Sequence, residues 1–328
     1  MPRRPFRLFS VLLLALALLG ASCGNDDDVA EVPATEQPAP DPAPTEAAPE
    51  PAPTEAPTEQ PAPELALTEA APKPPQRIVS LSPTATEILF AIGAGDQIVA
   101  VDQFSYYPPE APVTDLSGWD PNVEAVLSYE PDLVVISNDA NDLMAGMEAV
   151  GIGVLLSSAP ADFEGGYAAV ADIGMAVGRV DEAAALTAEL RAEIADALGA
   201  APNAPVRVYH ELGDALYSAS SSSFIGAVYA AMGAVNIADE ADTDGYGYPQ
   251  LTEEYIVEAD PELIVITDQV GYTVDDVAAR PGWGEVSAVR NGNIVVVNAD
   301  IASRWGPRLP QFINAVAEAL EAVAESVS

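Results

Sequence analysis

The chain has 328 residues and carries 51 acidic side chains against 12 basic ones, which gives a formal net charge of −39 at pH 7. This acidity excludes nucleic acid as a partner, because a phosphate backbone needs a basic protein face. The sequence has one histidine and one cysteine, which excludes both a metal site built from several histidines and an internal disulfide.

The first 22 residues have the composition of a secretory signal peptide. Arginines at positions 3, 4 and 7 precede an apolar run from Leu8 to Leu19, and three small residues follow it. The run is shorter than the about 20 residues that a membrane-spanning helix needs. We therefore predict that residues 1–22 are a signal peptide.

Cys23 comes next, and the stretch that ends there resembles a bacterial lipobox. The resemblance implies that Cys23 is diacylated and becomes the first residue of the mature protein. Such a protein is extracytoplasmic and is anchored by its lipid to the outer face of the cytoplasmic membrane, in a periplasm or at the cell surface. Gly20 stands where leucine is usual in the motif, so cleavage by the general signal peptidase is the alternative.

The segment that follows Cys23 is rich in Pro, Ala, Thr and Glu as far as residue 75. It has too few apolar side chains to offset the entropy lost on ordering, and its prolines and like charges keep it extended. We therefore predict a lipidated cysteine and a disordered acidic tether over residues 23–75. The tether acts as a spacer between the membrane and a globular part.

The globular part opens with alternating strand and helix patterns joined by short connections. Residues 76–161 are predicted as an N-terminal α/β lobe, because this alternation indicates a parallel sheet covered by helices on both faces. The predicted strands are Arg77–Leu81, Gln97–Val101, Leu133–Ser137 and Gly153–Leu156, and the predicted helices are Ala85–Ala91 and Leu143–Val150.

One segment of this lobe recurs later in the chain. Residues 121–139 and 251–269 match at an offset of 130 positions. Each copy is predicted as a short amphipathic helix that stops at an acidic residue followed by proline, and then as a buried parallel strand. Two lobes of one design follow from this repeat.

A helical region, residues 162–203, separates the lobes, and its Ala-, Leu- and Glu-rich part from Asp181 to Gly199 predicts a long helix that acts as a rigid spine. Residues 204–328 are predicted as the C-terminal α/β lobe. Its predicted elements are strands Val206–His210, Leu216–Ala219 and Asn293–Asn298, the strand of the second repeat copy, a helix at Ser223–Ala231 and a final helix from about Pro310. The fold class is α/β, with two Rossmann-like lobes containing parallel sheets and joined by one long α-helix.

No catalytic constellation is apparent, so we do not expect an enzyme. The sequence has no GxSxG elbow, and Gly93-Ala94-Gly95 lacks the third glycine of a dinucleotide fingerprint. The serines at 220–223 more plausibly cap the helix at Phe224 than supply a nucleophile. An unrecognised two-lobed surface enzyme is the less favoured alternative. A purely adhesive surface lipoprotein would explain the tether but not the repeat.

Five motifs resemble, in order, the substrate-binding proteins of ABC importers for vitamin B12, haem and ferric siderophores. They are RIVSLSPTATEILFAIG at 77–93, the segment from Trp119 to Pro131, Ser222-Ser223-Phe224, YPQLTEE at 248–254 and ASRWGPRL at 302–309. The resemblance implies a class III periplasmic-binding fold, a non-catalytic monomer, a small-molecule ligand, and an ABC permease dimer with its ATPase as partner. A stiff spine predicts only a small closure on binding.

In that family an acidic residue on each lobe docks onto arginines of the two permease subunits, and these positions fall at Glu124 and Glu254. Two carboxylates on equivalent lobes can meet two equivalent arginines of a symmetric dimer. The alternative is that both are ordinary glutamates favoured by the dipole at a helix N-terminus. The repeat together with the resemblance favours docking.

The resemblance also implies a ligand between the lobes, a corrinoid such as cobalamin in the first place and a ferric siderophore or haem as the alternative. No cofactor is expected apart from this transported ligand. The implied ligand-binding residues are Phe104, Trp119, Tyr248, Asp300 and Arg304. The aromatic side chains suit a large flat ligand, and the last two could bind its polar periphery.

Other residues near these positions complete the prediction. Ser137 and Leu212 stand where cobalamin binders carry further aromatic residues, so fewer aromatic contacts with the ligand are expected. Tyr106 is interpreted as part of a packed turn beside Phe104. His210, at a strand end near the expected cleft, is either a metal ligand or, with greater weight, a residue with ordinary hydrogen bonds. Trp283 and Trp305 are interpreted as structural or rim residues.

Overall fold

A computed structural model describes residues 73–202 and 205–327 of the chain. These residues belong to one compact unit, Thr68–Ser328. The predicted signal peptide, Cys23 and nearly all of the predicted tether lie outside the described residues. Within the described part, no helix combines the length and the apolar character that crossing a membrane requires.

The N-terminal lobe, called lobe 1, is built on a parallel four-stranded sheet. Its strands are β1 (Ile78–Leu81), β2 (Ile98–Val101), β3 (Leu133–Ile136) and β4 (Gly153–Leu156), in the order β2-β1-β3-β4. Three helices connect them: α1 (Pro83–Ala91), α2 (Val123–Leu127) and α3 (Leu143–Glu148). The central strands β1 and β3 are buried along their whole length, which explains why Ser80 is their only polar residue.

The C-terminal lobe, called lobe 2, repeats this design. Its strands are β5 (Arg207–His210), β6 (Val235–Asn236), β7 (Leu263–Thr267) and β8 (Ile294–Val297), in the order β6-β5-β7-β8. Its helices, with those that frame it at the C-terminus, are α6 (Phe224–Ala231), α7 (Glu253–Ala259), α8 (Val274–Ala278), α9 (Ser287–Asn291), α10 (Ala299–Ser303) and α11 (Leu309–Val327). The two parallel sheets and their helices confirm the predicted α/β class.

The predicted strand Leu216–Ala219 is wrong. Leu216 adopts a positive φ of 60°, which interrupts an extended chain. The segment pairs with residues 249–251 through an isolated antiparallel bridge between Tyr217 and Gln250, and not with the sheet. The edge of the sheet is instead formed by the two residues of β6, which are too few to give a strand pattern in the sequence.

The repeat is reproduced in register as well as in order. Ile78 of β1 lies opposite Leu133 of β3, and Val208 of β5 lies opposite Leu263 of β7, so each pair joins residues 55 positions apart. The same sequence offset therefore produces the same strand pairing in both lobes.

An arginine stabilises the turn before each of these inner strands. Glu130 and Asp260 have positive φ values of 48° and 46°, directly before their prolines. The guanidinium of Arg77 donates to the carbonyl oxygen of Glu130, and that of Arg207 donates to the carbonyl oxygen of Asp260, each at 2.8 Å. Arg77 and Arg207 are themselves 130 positions apart, a sign of the repeat that was visible in the sequence.

The helical region contains two helices, and the second corresponds to the long helix predicted from Asp181 to Gly199. Gly178 takes a left-handed φ of 72° and ends α4 (Phe163–Val177), and α5 (Val180–Ala200) begins two residues later. Helix α5 packs against α4, which contacts α1 of lobe 1, and against α11, which contacts β7 and β8 of lobe 2. Its 21 residues span about 30 Å. The spine between the lobes is therefore α5.

The lobes share one apolar core along this spine. A continuous buried cluster runs from β1 through α4 and α5 to β7 and α11, and each lobe adds a smaller cluster of its own. Trp305 is buried and lies edge-on to Tyr167 of α4, with ring centroids 5.3 Å apart. A Cβ atom at Gly166 would lie 1.8 Å from the Trp305 ring, so this close packing requires glycine. Trp283 is also fully buried, inside lobe 2.

Candidate functional site

A cleft lies between the lobes, where the loops after the strands of both sheets face each other. Ligands of parallel α/β sheets bind at such strand ends. The cavity in this cleft, called the cleft cavity, has a volume of about 430 Å³. Residues from both lobes line it: Ser82, Thr84, Ser137, Ser157, Ser158, Ala159, Pro160, Ala161, Ala169, Leu212, Ser222, Ser223, Phe224, Ile225, Tyr246, Tyr248, Ser303 and Trp305.

A second cavity of about 560 Å³ adjoins it inside lobe 2. Leu212, Ile225 and Ser303 line both, so the two are neighbours. This polar cavity lies at the ends of β5 and β7 and before α10, and its polar lining includes His210, Asp214, Thr267, Gln269, Tyr272 and Ser303. The site thus combines the mainly apolar cleft cavity with the polar cavity of lobe 2.

Two tyrosines of lobe 2 reach the cleft cavity, and only one of them was predicted. Tyr248 is 38% exposed, and Tyr246 is 77% exposed and meets it edge to face at 6.0 Å. Tyr246 lies between Gly245 and Gly247, which both have positive φ. An aromatic residue between two glycines, close to a predicted ligand residue, was the available signal for Tyr246.

The loop that carries Tyr246 is attached to the start of α6. Asp242 accepts a hydrogen bond of 2.5 Å from the Ser220 hydroxyl and another of 3.1 Å from the Gly247 amide. The Ser220 hydroxyl lowers the pKa of Asp242, so this carboxylate stays ionised. Ser223 caps α6 by accepting from the Gly226 amide at 3.1 Å, which confirms the predicted capping role of the serine run.

Phe104 and Trp119 of lobe 1 are exposed, at 45% and 78%, and neither lines the cleft cavity. The loop of Trp119 is nevertheless fixed at the end of β1, because a Cβ atom at Gly118 would lie 2.5 Å from the Leu81 carbonyl oxygen. Of the predicted ligand residues, the structure therefore places Tyr248 in the cleft and leaves Phe104 and Trp119 as free aromatic side chains outside the cavity wall.

Asp300 and Arg304 are engaged with the protein itself. A guanidinium nitrogen of Arg304 lies 2.8 Å from the Asp300 carboxylate and donates at 3.2 Å to the carbonyl oxygen of Phe104 in lobe 1. The Tyr106 hydroxyl donates to the other Asp300 oxygen at 2.6 Å, and this hydrogen bond raises the pKa of Tyr106. Tyr106 is therefore an inter-lobe contact and not a residue that merely flanks Phe104.

A buried glutamate completes these contacts. Glu87 of α1 is 3% exposed and receives two hydrogen bonds from Arg308, at 2.6 and 2.8 Å, and one from Arg304 at 3.2 Å. Together Glu87, Phe104 and Tyr106 of lobe 1 and Asp300, Arg304 and Arg308 of lobe 2 form what we call the clasp. The clasp joins the two lobes. Two of its members, Asp300 and Arg304, are residues that the sequence analysis predicted to bind the ligand.

Glu124 and Glu254 occupy the same place in equivalent helices. Each is the second residue of its helix, α2 or α7, and each helix is capped by a side chain that accepts from the third helical amide. Both glutamates are exposed, and within the described residues neither side chain has a hydrogen bond or an ion pair. Their carboxylates are free to meet a partner, as docking requires, although a helix-dipole role alone would give the same picture.

Metal binding has little support in the part of the chain that the structure describes. No group of three or more His, Cys, Asp or Glu side chains is arranged there to hold a metal ion. His210 is buried, with Nδ1 2.7 Å from the Tyr229 hydroxyl. Burial lowers the pKa of His210 to about 4, so its imidazole is neutral.

Residues 78–301 match the family model for periplasmic binding proteins. The chain is 38% identical over 261 residues to a cobalamin-binding protein of Halobacterium salinarum, covering 75% of this chain and 69% of the relative. It is 31% identical over 257 residues to an uncharacterized ABC transporter substrate-binding lipoprotein of Bacillus subtilis, covering 75% of this chain and 80% of the relative.

Solved structures share the fold. A periplasmic heme-binding protein of Roseiflexus sp. RS-1 aligns with a TM-score of 0.68 and 26% identity, over 76% of this chain and 99% of its own. The periplasmic vitamin B12-binding protein of Vibrio cholerae aligns with a TM-score of 0.64 and 24% identity, over 77% and 99%.

Proposed function

The chain belongs to the periplasmic binding protein family, and we propose that it captures a corrinoid between its two lobes and delivers it to an ABC permease. The observation that carries this proposal is the 38% identity to a cobalamin-binding protein over most of the chain. The cleft supports it, because the cleft cavity is lined by both lobes and adjoins the polar cavity of lobe 2.

The chemistry of the cleft favours a corrinoid over a charged iron chelate. A corrin has a broad apolar face and neutral amide arms, which suit aromatic side chains beside a polar recess. Haem and many siderophores carry carboxylates, which need cationic partners. Arg304 already binds Asp300 and Glu87, and among the described residues no arginine or lysine lines either cavity.

Haem is the second candidate ligand. A specific observation favours it, namely the 26% identity to a heme-binding protein whose fold aligns over 76% of this chain. The free aromatic residues Phe104 and Trp119 could cover a flat porphyrin as well as a corrin.

Delivery requires export and a partner. We propose that the protein works outside the cytoplasm, that Cys23 carries a lipid anchor, and that residues 24–75 span the distance to the membrane. Glu124 and Glu254 would contact basic residues of two permease subunits, and the transport ATPase would supply the energy. The protein itself would catalyse no reaction and act as a monomer.

Titration of the chain from residue 24 tests the proposal. Isothermal calorimetry and tryptophan fluorescence with cyanocobalamin, haemin and a ferric hydroxamate should give saturable binding with cyanocobalamin. Trp119→Ala should weaken that binding by about 1–2 kcal/mol if the indole stacks on the ligand. Binding of haemin alone would select the second candidate, and binding of none of the three would refute the proposed function.

A further inference from the structure

His210 lies where the polar cavity meets the core of lobe 2. It is the last residue of β5, it borders the polar cavity, and it is 1% exposed. Its Nδ1 lies 2.7 Å from the Tyr229 hydroxyl, whereas its Nε2 has no hydrogen-bond partner among the described residues. A buried polar nitrogen without a partner is costly, and His210 is a residue of the cavity wall, so a bound ligand is a candidate partner for Nε2.

The tautomer of His210 follows from the needs of Tyr229. Tyr229 is fully buried, and in the described part of the chain its hydroxyl has only His210 as a hydrogen-bond partner. Burial raises the pKa of Tyr229, so the hydroxyl keeps its proton and must donate it. Nδ1 of His210 is the acceptor within hydrogen-bond distance of this hydroxyl. It accepts only if the single proton of the neutral imidazole is on Nε2.

This tautomer decides what His210 can bind. An Nε2 that carries its proton has no free lone pair and does not coordinate cobalt or iron, whereas it is a good hydrogen-bond donor. The ring edge opposite Nδ1 is the Cδ2–Nε2 bond, so Nε2 lies on the side away from Tyr229. Nε2 is covered in this structure, so a contact requires the side chains that cover it to move.

We propose that the polar cavity is a subsite for a primary carboxamide of the ligand, whose carbonyl oxygen accepts a hydrogen bond from Nε2–H of His210. Asp214 also borders the cavity and is an acceptor, so it suits the NH₂ group of an amide and disfavours a carboxylate. Tyr229 acts as a positioning residue that holds His210 as a donor. This inference rests on the proposed function and adds a contact that recognises the neutral periphery of a corrin.

The tautomer can be measured directly because the sequence has one histidine. Long-range ¹H–¹⁵N NMR of the ¹⁵N-histidine-labelled chain at pH 7 should show a protonated Nε2 and an unprotonated Nδ1, both free and with cyanocobalamin. On binding, the Nε2–H proton should shift downfield as it gains an acceptor. A proton on Nδ1, or an Nε2–H signal that does not move in a protein saturated with ligand, would overturn the inference.

Two substitutions test the donor. The side-chain amide nitrogen of His210→Gln can reach the Nε2 position, whereas that of His210→Asn reaches only the Nδ1 position. Provided that both variants melt cooperatively, the glutamine variant should keep its Kd for cyanocobalamin within threefold and the asparagine variant should raise it about tenfold. Equal affinities would contradict the proposal.

A metal-ligand role predicts a different result. With aquacobalamin, coordination by His210 would change the absorption spectrum in the wild-type chain and not in His210→Gln; we expect the same spectrum from both. If wild-type protein binds no corrinoid, the proposed function fails. If it binds and the His210 signals are unaffected, only this inference fails.

Discussion

The clasp should be a sensitive polar feature of the fold, and Glu87→Gln is the substitution that tests it. The carboxylate is 3% exposed and accepts three hydrogen bonds from Arg304 and Arg308, whose side chains are 12% and 16% exposed. Glutamine keeps the size of the side chain, but it removes the charge and points an NH₂ group at a guanidinium. Two largely buried cations then lose their shared anion.

Removing one partner of a buried ion pair costs about 3–5 kcal/mol. Arg304 retains Asp300 as a partner, so the lower end of this range applies, and we expect the free energy of unfolding to fall by about 3 kcal/mol. Urea denaturation followed by circular dichroism measures this change. Glu148→Gln, at an exposed position of α3, is the matched control and should change stability by less than about 0.5 kcal/mol.

The origin of the loss can also be tested. If the stability is lost because Glu87→Gln leaves a buried guanidinium without an anion, adding Arg308→Met should recover part of it. The apolar replacement needs no charged partner. Small-angle scattering of the single variant should show a wider range of lobe separations if the clasp restrains the lobes. A loss below about 1 kcal/mol for Glu87→Gln would refute the view that the clasp is a tight, desolvated contact.

Three further predictions concern stability, ligand and partner. Lowering the pH from 7 to 5 should reduce the free energy of unfolding by about 2 kcal/mol, because the pKa of His210 is about 4 in the folded chain and near 6.5 when unfolded, so only the unfolded chain binds a proton in this window. Tyr246→Ala should weaken ligand binding by about 1–2 kcal/mol through lost aromatic contact, as measured by calorimetry. Glu124→Ala combined with Glu254→Ala should abolish uptake in a transport assay and leave the ligand Kd unchanged.

Each of these three predictions has a control substitution in the same chain. His210→Gln removes the titrating group and should flatten the stability profile between pH 7 and 5; an equal slope in both chains would contradict the assignment. Tyr217→Ala, at an exposed tyrosine outside both cavities, should not alter ligand affinity. Glu253→Ala should leave uptake intact, and a double docking variant that loses ligand affinity would argue against separate docking and binding surfaces.

Much of the fold could be predicted because its determinants are local. Four-residue apolar strands, acidic residues before proline and a repeat at a fixed offset are properties of short segments, and both sheets have the order and register that the repeat requires. The long helix predicted from Asp181 to Gly199 is α5, because its alanine-, leucine- and glutamate-rich composition is local too. The strand predicted at Leu216–Ala219 failed because the partner of that segment is a distant loop.

The site was harder to predict, since its decisive contacts join residues far apart in the sequence. Glu87 lies 217 and 221 positions from Arg304 and Arg308, and no sequence pattern around these residues predicts that they pair. Asp300 and Arg304 were predicted by resemblance to bind the ligand. In the structure both side chains form hydrogen bonds with residues of lobe 1. The roles of Phe104, Trp119, Tyr248, Asp300 and Arg304 in binding stay predictions.

The use of arginine in this chain has a consequence for the medium in which it works. All eight arginines after residue 76 are hydrogen-bonded or ion-paired to the protein: Arg77, Arg179, Arg191, Arg207, Arg280, Arg290, Arg304 and Arg308. The remaining carboxylates have no such partners to draw on, and their mutual repulsion must be moderated by dissolved cations. Dissolved cations therefore complete the charge balance of this protein, and the ionic strength of the medium sets the distance from which a basic surface can attract it.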